Sequence, residues 1–306
     1  MKLKLSMKRI FVLLAYIIFI GHYMSAQSQA AVNASEGGYG MLKTNLAVDY
    51  NHTWNRLDNS FSARASYEFF SNRKFTVTAN ARYQSVEANF RPGNLSDGFQ
   101  AGEIGLNGVH IFGQTGFTST FRTRLWGKPI MAMAMANAEW GQGGFARVSG
   151  IAMGILMLRA NRDTQFGLGP LVMLNTSSKI PAFLVFMYRH RIDSRWQINL
   201  YGGMFGVDYT PTPRNMLSIG ADVDVKSFYF RPHDGRLPDK CRFTSTSFRP
   251  MVKFRRQLAR NLFFSLQGGV AVRMSCRVNG VTGPTEYFKC RQKVAPFVQS
   301  GVSYTL

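Results

Sequence analysis

Residues 261–275, NLFFSLQGGVAVRMS, alternate between apolar and polar side chains along most of their length. One face carries Leu262, Phe264, Leu266, Val270, Val272 and Met274, and the other carries Ser265, Gln267, Gly269 and Arg273. Alternation with a period of two is typical of a β-strand. The run exceeds the roughly 5–6 residues of a typical soluble strand. It suffices for a tilted membrane-spanning strand of about 9–11 residues, which predicts a β-barrel in a membrane.

The same alternation recurs at residues 61–69, 75–83, 195–207 and 216–230. In a membrane barrel the apolar face points to lipid and the polar face to the lumen. A basic residue on the lipid side at mid-bilayer would cost about 2–4 kcal/mol. We therefore expect the charged and amide side chains of these strands to face the lumen: Arg64, Glu68, Arg82, Asn199, Asp222, Asp224, Lys226, Gln267 and Arg273.

Three segments share a pattern of strand, short polar turn and strand: YEFFSNRKFTVT (67–78), YRHRIDSRWQIN (188–199) and FRRQLARNLFFS (254–265). Other Gly, Pro and Asn clusters predict turns at 91–94, 127–129, 141–144, 161–163, 176–179 and 210–213, with longer breaks at 232–240 and 277–289. Counting segments between these breaks gives up to about fourteen strands, but places the turn at Asp193 opposite the other two hairpin turns. Reading some breaks as bulges, we expect an even number of about twelve strands, within roughly ten to fourteen.

The first thirty residues are typical of a secretory signal peptide. Lys2, Lys4, Lys8 and Arg9 precede the apolar run 10–20, and small residues follow it. Such a run is too short to cross a bilayer as a helix, and the order of charged, apolar and small residues predicts cleavage after Ala26 or Ala30. We expect residues 31–306 to form one outer-membrane barrel domain. The alternating final strand, which ends at Leu306, resembles the signal that barrel-insertion machinery recognises.

The composition is basic and aromatic. The chain has 37 Lys and Arg against 16 Asp and Glu, yet charged residues are only 17% of the total. Few charges with many aromatics suit a protein that faces lipid. Secretion argues against nucleic acid as the partner of the basic surplus. Two interpretations stay open: contact with the phosphates of outer-membrane lipid and lipopolysaccharide, or a lumen that favours small anionic solutes.

Three cysteines occur, Cys241, Cys276 and Cys290, and their spacing matches no metal motif. Secretion permits a disulfide. Cys276 and Cys290 flank a loop-like stretch, so they are the candidate pair, with Cys241 left over. Free thiols at strand ends are the alternative.

The sequence offers little for catalysis. His52 and His233 lie at predicted loops and could act as bases, but solvated loop histidines are the ordinary case. The His-x-Ser-Asn-Gly pattern of outer-membrane phospholipases is absent, as are phosphate loops, zinc motifs and dinucleotide fingerprints. We therefore expect no catalytic residue, no metal site and no cofactor.

Two further groups have both a functional and a structural interpretation. Asp222 and Asp224, with Lys226, could bind a cation, but such residues more often form a charge network that fills a narrow barrel. The run Met131-Ala-Met-Ala-Met-Ala places its methionines on one face. Thioether metal transport is one interpretation, and a lipid-facing or packed methionine stripe is the simpler one.

The hairpin segments YRHRIDSRWQINLYGG (188–203) and KFRRQLARNLFFSLQGGV (253–270), with RNMLSIGADVDVKSFYFRP (214–232), resemble an outer-membrane β-barrel family of unknown function from Gram-negative bacteria. The resemblance implies an architecture and no chemistry. We expect a non-enzymatic barrel in the outer membrane, either a small pore or a structural and surface-interaction protein. The alternatives are a lipid-modifying barrel enzyme and a soluble secreted β-sandwich binding module.

Overall fold

The computed structural model describes residues 44–53, 59–90, 95, 100–174, 182–201, 204–281, 286–289 and 294–305. These residues form strands and connections without any helix. The strands are β1 (Asn45–Thr53), β2 (Asn59–Ser71), β3 (Phe75–Ala88), β4 (Gly108–Leu125), β5 (Lys128–Gly141), β6 (Gly144–Ala160), β7 (Thr164–Leu174), β8 (Ala182–Arg191), β9 (Trp196–Tyr201), β10 (Met204–Thr212), β11 (Asn215–Phe230), β12 (Cys241–Ala259), β13 (Leu262–Gly280), β14 (Glu286–Lys289) and β15 (Val294–Thr305).

From β1 to β14 each strand pairs antiparallel with its neighbour in sequence, and β15 closes the sheet on itself. Closure runs from β13 to β15, where Gln267 pairs with Gln299, and from β15 to β1, where Gln299 pairs with Asn51. The short β14 pairs only with the end of β13. The ring therefore has fourteen strands, an even number, as expected for a single-chain membrane barrel. The prediction of an antiparallel barrel with ten to fourteen strands is confirmed.

The two ends of the barrel differ in their connections. At one end, here called the turn end, β1 begins, β15 ends, and short turns join the strands at 72–74, 126–127, 161–163, 192–195, 213–214 and 260–261. At the opposite loop end, three connections are longer, 89–107, 231–240 and 281–293. All three hairpins singled out in the sequence turn at the turn end, because each follows an even-numbered strand.

Side-chain hydrogen bonds explain several of the short turns. Asn72 Oδ1 accepts from the backbone N–H groups of Lys74 and Phe75. Asp193 Oδ1 accepts in the same way from those of Arg195 and Trp196. Such Asx turns replace a backbone turn with a side-chain acceptor, and Asn72 and Asp193 occupy the same position in the repeated hairpin pattern.

A different turn joins β4 to β5. Trp126 and Gly127 have φ angles of 52° and 74°, and Leu125 pairs with Lys128 across them. Two successive positive φ angles define the tight hairpin turn whose twist matches the strands. Gly127 adopts this conformation without strain. Trp126 is 82% exposed at the tip of the turn.

One predicted strand is wrong in its length. Residues 195–207 are two strands, β9 and β10, and Tyr201 pairs with Met204. In the sequence the alternation continues through this point, because Gly202 and Gly203 add no side chain that would break the apolar and polar pattern. These two residues lie outside the described residues. The missed reversal lies between Asp193 and the hairpin at 260–261, and once it is counted these two hairpins turn at the same end of the barrel. In a second difference, β13 continues as a strand to Gly280, into a predicted break.

The exterior of the barrel is apolar. Leu46, Val48 and Tyr50 of β1 are 37–53% exposed and alternate with side chains that are more buried. Aromatic rings lie towards both ends: Phe61 contacts Tyr83 nearer the loop end, and Trp196 contacts Tyr209 at the turn end. No helix in the described part of the chain is long and apolar enough to span a membrane. The predicted signal peptide lies outside the described residues.

Candidate functional site in the barrel interior

Side chains that alternate with the exposed apolar ones point into a closed barrel. The cross-strand register extends this interior face round the ring: Ala47 pairs with Arg64, Arg64 with Arg82, and Arg82 with Gln114. The interior face carries two ion-pair networks, an apolar wall and a closed end.

The first network is centred on Arg249 of β12. Its guanidinium donates to both carboxylate oxygens of Asp222, at 2.8 Å each, and lies 3.5 Å from Asp224. It also donates to Gln299 Oε1 and stacks over the Phe297 ring at 4.8 Å. Lys226 Nζ is 3.9 Å from Asp224. The two aspartates are therefore held by basic side chains, as the charge-network interpretation predicts.

The second network is centred on Glu139 of β5, whose side chain is almost fully buried. Arg147 Nε donates to Glu139 Oε2 at 3.0 Å, and the hydroxyl groups of Ser149 and Tyr229 also donate to this carboxylate. Arg242 interacts electrostatically with both Glu139 and Arg147. Because Tyr229 belongs to β11, on the far side of the ring from β5, this network bridges the interior.

Two arginines face each other between the networks. Arg64 forms an ion pair with Asp49, and its directly opposed neighbour Arg82 donates to Gln84 Oε1 at 2.9 Å. Arg82 lies 5.9 Å from the centre of the Phe112 ring.

The other residues predicted to face the lumen lie on the same interior face. Asn199 donates to Asp208, Gln267 donates to Gln299 Oε1 at 3.0 Å, and Arg273 is 5% exposed opposite Ser247. Glu68 is half-buried opposite Thr78. That these nine residues line a path for solute stays a prediction.

The methionines of the Met-Ala run belong to an apolar wall that sequence reasoning left undecided. Met133 and Met135 are 5–7% exposed and pair with Met153 and Ile151 of β6. The wall spans β5 to β8: Met131, Met133, Met135, Ile151, Met153, Ile155, Met157, Leu171, Met173, Phe183, Val185 and Met187. The methionines are therefore packed side chains on the interior face, since flexible thioethers fill irregular space well.

An apolar cluster closes the loop end. Phe228 and Phe243, at the ends of β11 and β12, are at most 1% exposed and stack with centroids 4.6 Å apart. Ile104 and Leu106 of the 89–107 connection belong to the same cluster and are equally buried. We call this cluster the plug, and its members are Val86, Ala88, Phe90, Leu95, Ala101, Ile104, Leu106, Phe112, Phe228, Tyr229, Phe230, Leu237, Cys241, Phe243, Cys276, Val278 and Val281.

Contacts across the barrel hold the plug in place. His110 of β4 stacks on Phe228 with centroids 4.1 Å apart, and its Nε2 is 2.9 Å from the Leu106 carbonyl oxygen. A Cβ on Gly141 would lie 2.8 Å from Tyr229 Cβ, so β11 approaches β5 too closely for a larger side chain. Lys240 Nζ donates to the Phe145 carbonyl oxygen at 2.8 Å and so ties the 231–240 connection to the start of β6.

The interior becomes less tightly packed towards the turn end. Arg64 and Asp49 keep 21% and 14% of their side chains exposed, and Asp222 keeps 18%. Further towards the turns, interior-facing threonines such as Thr76 and Thr120 are buried, but many longer polar side chains are half-buried: Arg122, Arg189, Gln197, Asn199, Asp208, Arg255, Ser265 and Ser303. Water therefore reaches the interior from the turn end and is excluded at the plug.

The described histidines lie in different surroundings. His110 lies inside the plug, and His190 Nδ1 is 2.9 Å from Thr164 Oγ1 instead of a serine. His233, one of the two candidate bases, lies in the 231–240 connection, where its ring would be 3.3 Å from a Cβ on Gly105. His52, the other, lies in β1 and not in the predicted loop. Among the described residues, no three His, Cys, Asp or Glu side chains are grouped to hold a metal.

Two described cysteines belong to the plug. Cys276 is disulfide-bonded, and Cys241 is a free thiol without exposed surface. Cys290, the predicted partner of Cys276, lies outside the described residues. The pairing itself stays a prediction.

The fold places this chain in the class of closed antiparallel β-barrels. No protein-family model and no curated protein matches its sequence. Solved structures with a similar arrangement include the KdgM porin in complex with disordered oligogalacturonate, at 9% identity and a TM-score of 0.35 over 86% of this chain and 99% of that one.

An outer-membrane channel from Pseudomonas putida F1 is 11% identical, with a TM-score of 0.43 over 88% of this chain and 98% of that one. Outer-membrane phospholipase A from Escherichia coli is 10% identical, with a TM-score of 0.35 over 86% and 92% of the respective chains. Of these neighbours, one is a porin, one is an outer-membrane channel and one is an outer-membrane phospholipase. At such low similarity, the function of this chain has to be argued from its own residues.

Proposed function

We propose that this protein is a non-enzymatic outer-membrane β-barrel that conducts small solutes, favours anions and is closed at its loop end in the state described above. The observation that carries this proposal is the gradient of packing along the interior, from the fully buried plug to half-buried polar side chains at the turn end. A barrel with only a structural role has no need of a polar, water-accessible half that stops at an apolar closure.

The exterior supports a membrane location. Phe61 and Phe69 lie about 26 Å apart along β2 at roughly 3.3 Å per residue. At a strand tilt of about 40° this spans about 20 Å of the membrane normal, close to the apolar band of an outer-membrane barrel, which is about 25 Å tall and flanked by aromatic girdles. Short turns on one side and longer loops on the other are typical of the periplasmic and extracellular ends. The plug would therefore face the outside, and the exterior would contact outer-membrane lipid and lipopolysaccharide after the insertion machinery has assembled the barrel.

The charges of the interior support a preference for anions. The two networks and the Arg64–Arg82 pair together contain six basic side chains and four carboxylates among the described residues. The basic members are Arg64, Arg82, Arg147, Lys226, Arg242 and Arg249, and the acidic members are Asp49, Glu139, Asp222 and Asp224. A basic surplus around a narrow path raises the local anion concentration.

The test is conductance in planar lipid bilayers, with the wild-type protein and a variant whose plug is weakened. Ile104→Ser with Leu106→Ser removes two fully buried apolar side chains from the 89–107 connection without altering a strand. We expect rare or small current steps from the wild type, and frequent larger steps from the double variant, with a reversal potential that indicates anion selectivity. Gln100→Ser with Glu103→Ser, exposed positions of the same connection, is the matched control and should behave as wild type.

Circular dichroism and heat-modifiable migration in gels would show that each variant is folded. If the folded double variant gives no current steps at all, the proposal that the barrel is a channel is refuted, and the barrel has a structural role. Steps with cation selectivity would refute the anion preference alone.

A further inference from the structure

Arg82 of β3 lacks the carboxylate partner that its neighbours have. Its guanidinium donates to the neutral Gln84 Oε1, and its Nε is buried without an acceptor in the described part of the chain. A buried donor left without an acceptor destabilises the fold, and a charged donor does so more strongly.

The nearby carboxylates are already engaged by other basic side chains. Arg82 interacts electrostatically with Asp49, Asp224 and Glu139. Asp49, however, pairs with Arg64, and Glu139 pairs with Arg147.

Asp224 likewise lies within 3.9 Å of both Arg249 and Lys226. Each acid therefore has a closer cation than Arg82, and the charge of Arg82 remains locally in surplus.

Arg64 adds a second positive charge at the same place. It pairs directly with Arg82 across β2 and β3, and their repulsion is the largest charge–charge effect on Arg82. Like charges directly opposite each other on a sheet are destabilising. An anion between the two guanidinium groups would convert this repulsion into attraction, because a guanidinium fork matches two oxygens of a carboxylate, phosphate or sulfate.

The surroundings suit a ligand of limited size. Phe112, a member of the plug, lies beside the Arg82 guanidinium and forms the closed side of the site. On the other side, Arg64 and Asp49 are partly exposed, so the site is open towards the turn end. The site thus lies where the water-accessible half of the interior meets the plug.

We infer that Arg82 and Arg64, with Gln84, bind a small oxyanion in the barrel interior, directly beneath the plug. This inference rests on the proposed function only in that the anion enters from the turn end. The ligand carries a carboxylate, phosphate or sulfate group small enough to pass between the half-buried side chains.

Binding is measured in detergent micelles, so that the result does not depend on conduction. Isothermal titration of the folded protein with sodium sulfate, with phosphate and with acetate is compared between wild type, Arg82→Gln and Arg82→Lys. We expect saturable binding to the wild type, at least about tenfold weaker binding to Arg82→Gln, equivalent to about 1.4 kcal/mol, and an intermediate affinity for Arg82→Lys, which keeps the charge and loses the fork.

Arg255→Gln is the matched control. Its guanidinium also lies on the interior face but stacks 4.3 Å from the Phe263 ring at the turn end, so its loss should leave the affinity unchanged. Equal affinity in Arg82→Gln and wild type, or the absence of saturable binding by folded wild type, would overturn the site. If Arg82→Gln does not fold, the comparison of Arg82→Lys with Arg255→Lys decides in the same way.

Discussion

The two ends of the barrel interior are built from the same strands but in opposite ways. At the loop end, apolar side chains such as Phe228 and Leu106 exclude water completely. At the turn end, polar side chains such as Asn199 and Arg255 are half-buried, and the strands are joined by tight turns. A closed sheet holds its strands in place by backbone hydrogen bonds and does not need a filled interior. The apolar packing of the plug is therefore not required by the fold.

The difference between the two ends shows where the barrel depends on specific packing between distant strands. The plug draws on strands from opposite sides of the ring, since His110 of β4 stacks on Phe228 of β11. The turn end depends instead on local hydrogen bonds, such as those accepted by Asn72 and Asp193. Mutations should therefore act over the whole barrel at one end and locally at the other.

The largest effect is expected from Phe228→Ala. Truncation of a fully buried aromatic ring costs about 3–5 kcal/mol, since it leaves a cavity. Urea unfolding in micelles, followed by tryptophan fluorescence, measures the loss. Phe263→Ala is the control at the turn end, where the ring is half-buried, and should cost clearly less. Equal losses at the two positions would contradict the contrast between the two ends.

A second effect concerns the disulfide of the plug. If Cys276 pairs with Cys290, the bond closes a loop of about fifteen residues and stabilises the protein by about 3 kcal/mol in the chain-entropy account. Cys290→Ser should lower the unfolding free energy by about that amount, and non-reducing peptide mass spectrometry of the wild type should find the two cysteines linked. Cys241→Ala is the control, because this thiol is free. A linked Cys241 would refute the pairing.

A third test compares the loss of a carboxylate within the bridging network with the loss of one outside it. Glu139→Gln removes the charge that accepts from Arg147 and Tyr229. Hydrogen bonds to a charged group contribute about 1.5–3 kcal/mol each, so the unfolding free energy should fall by at least that amount. Glu68→Gln, on the same interior face but half-buried, should have a smaller effect. The comparison fails if the two substitutions are equivalent.

The sequence predicts the parts of this barrel that depend on local pattern. Alternation located β2, β3, β11 and β13, because exposed apolar side chains alternate with polar interior ones along these strands. It failed at β9 and β10, since Gly202 and Gly203 leave the alternation of the flanking sequence unbroken. The Asx turns could have been predicted, because Asn72 and Asp193 occupy equivalent positions in two of the three repeated hairpins.

The sequence predicts only part of the candidate site. Alternation selected Arg64, Arg82 and Asp222 as polar members of their strands, but register alone shows that the two arginines are directly opposed. Glu139 was missed because it follows a run of Met and Ala whose interior face is otherwise apolar. The plug was missed as well, since the contact between β4 and β11 joins residues far apart in the chain and leaves no local pattern.

The smallest expected effect tests the local nature of the turn end. Hydrogen bonds from the backbone N–H groups of Arg195 and Trp196 hold the pKa of the exposed Asp193 carboxyl below its ordinary value. A lowered pKa in the folded state means that the charge stabilises the fold above the unfolded pKa and that this contribution is lost as the pH falls through the folded value. The urea midpoint of Asp193→Asn should therefore lie slightly below that of the wild type at neutral pH, and the two should converge under acidic conditions. Because the turn is local, conductance should not change, and a difference in midpoint that persists at the lowest pH would contradict the assigned role of the charge.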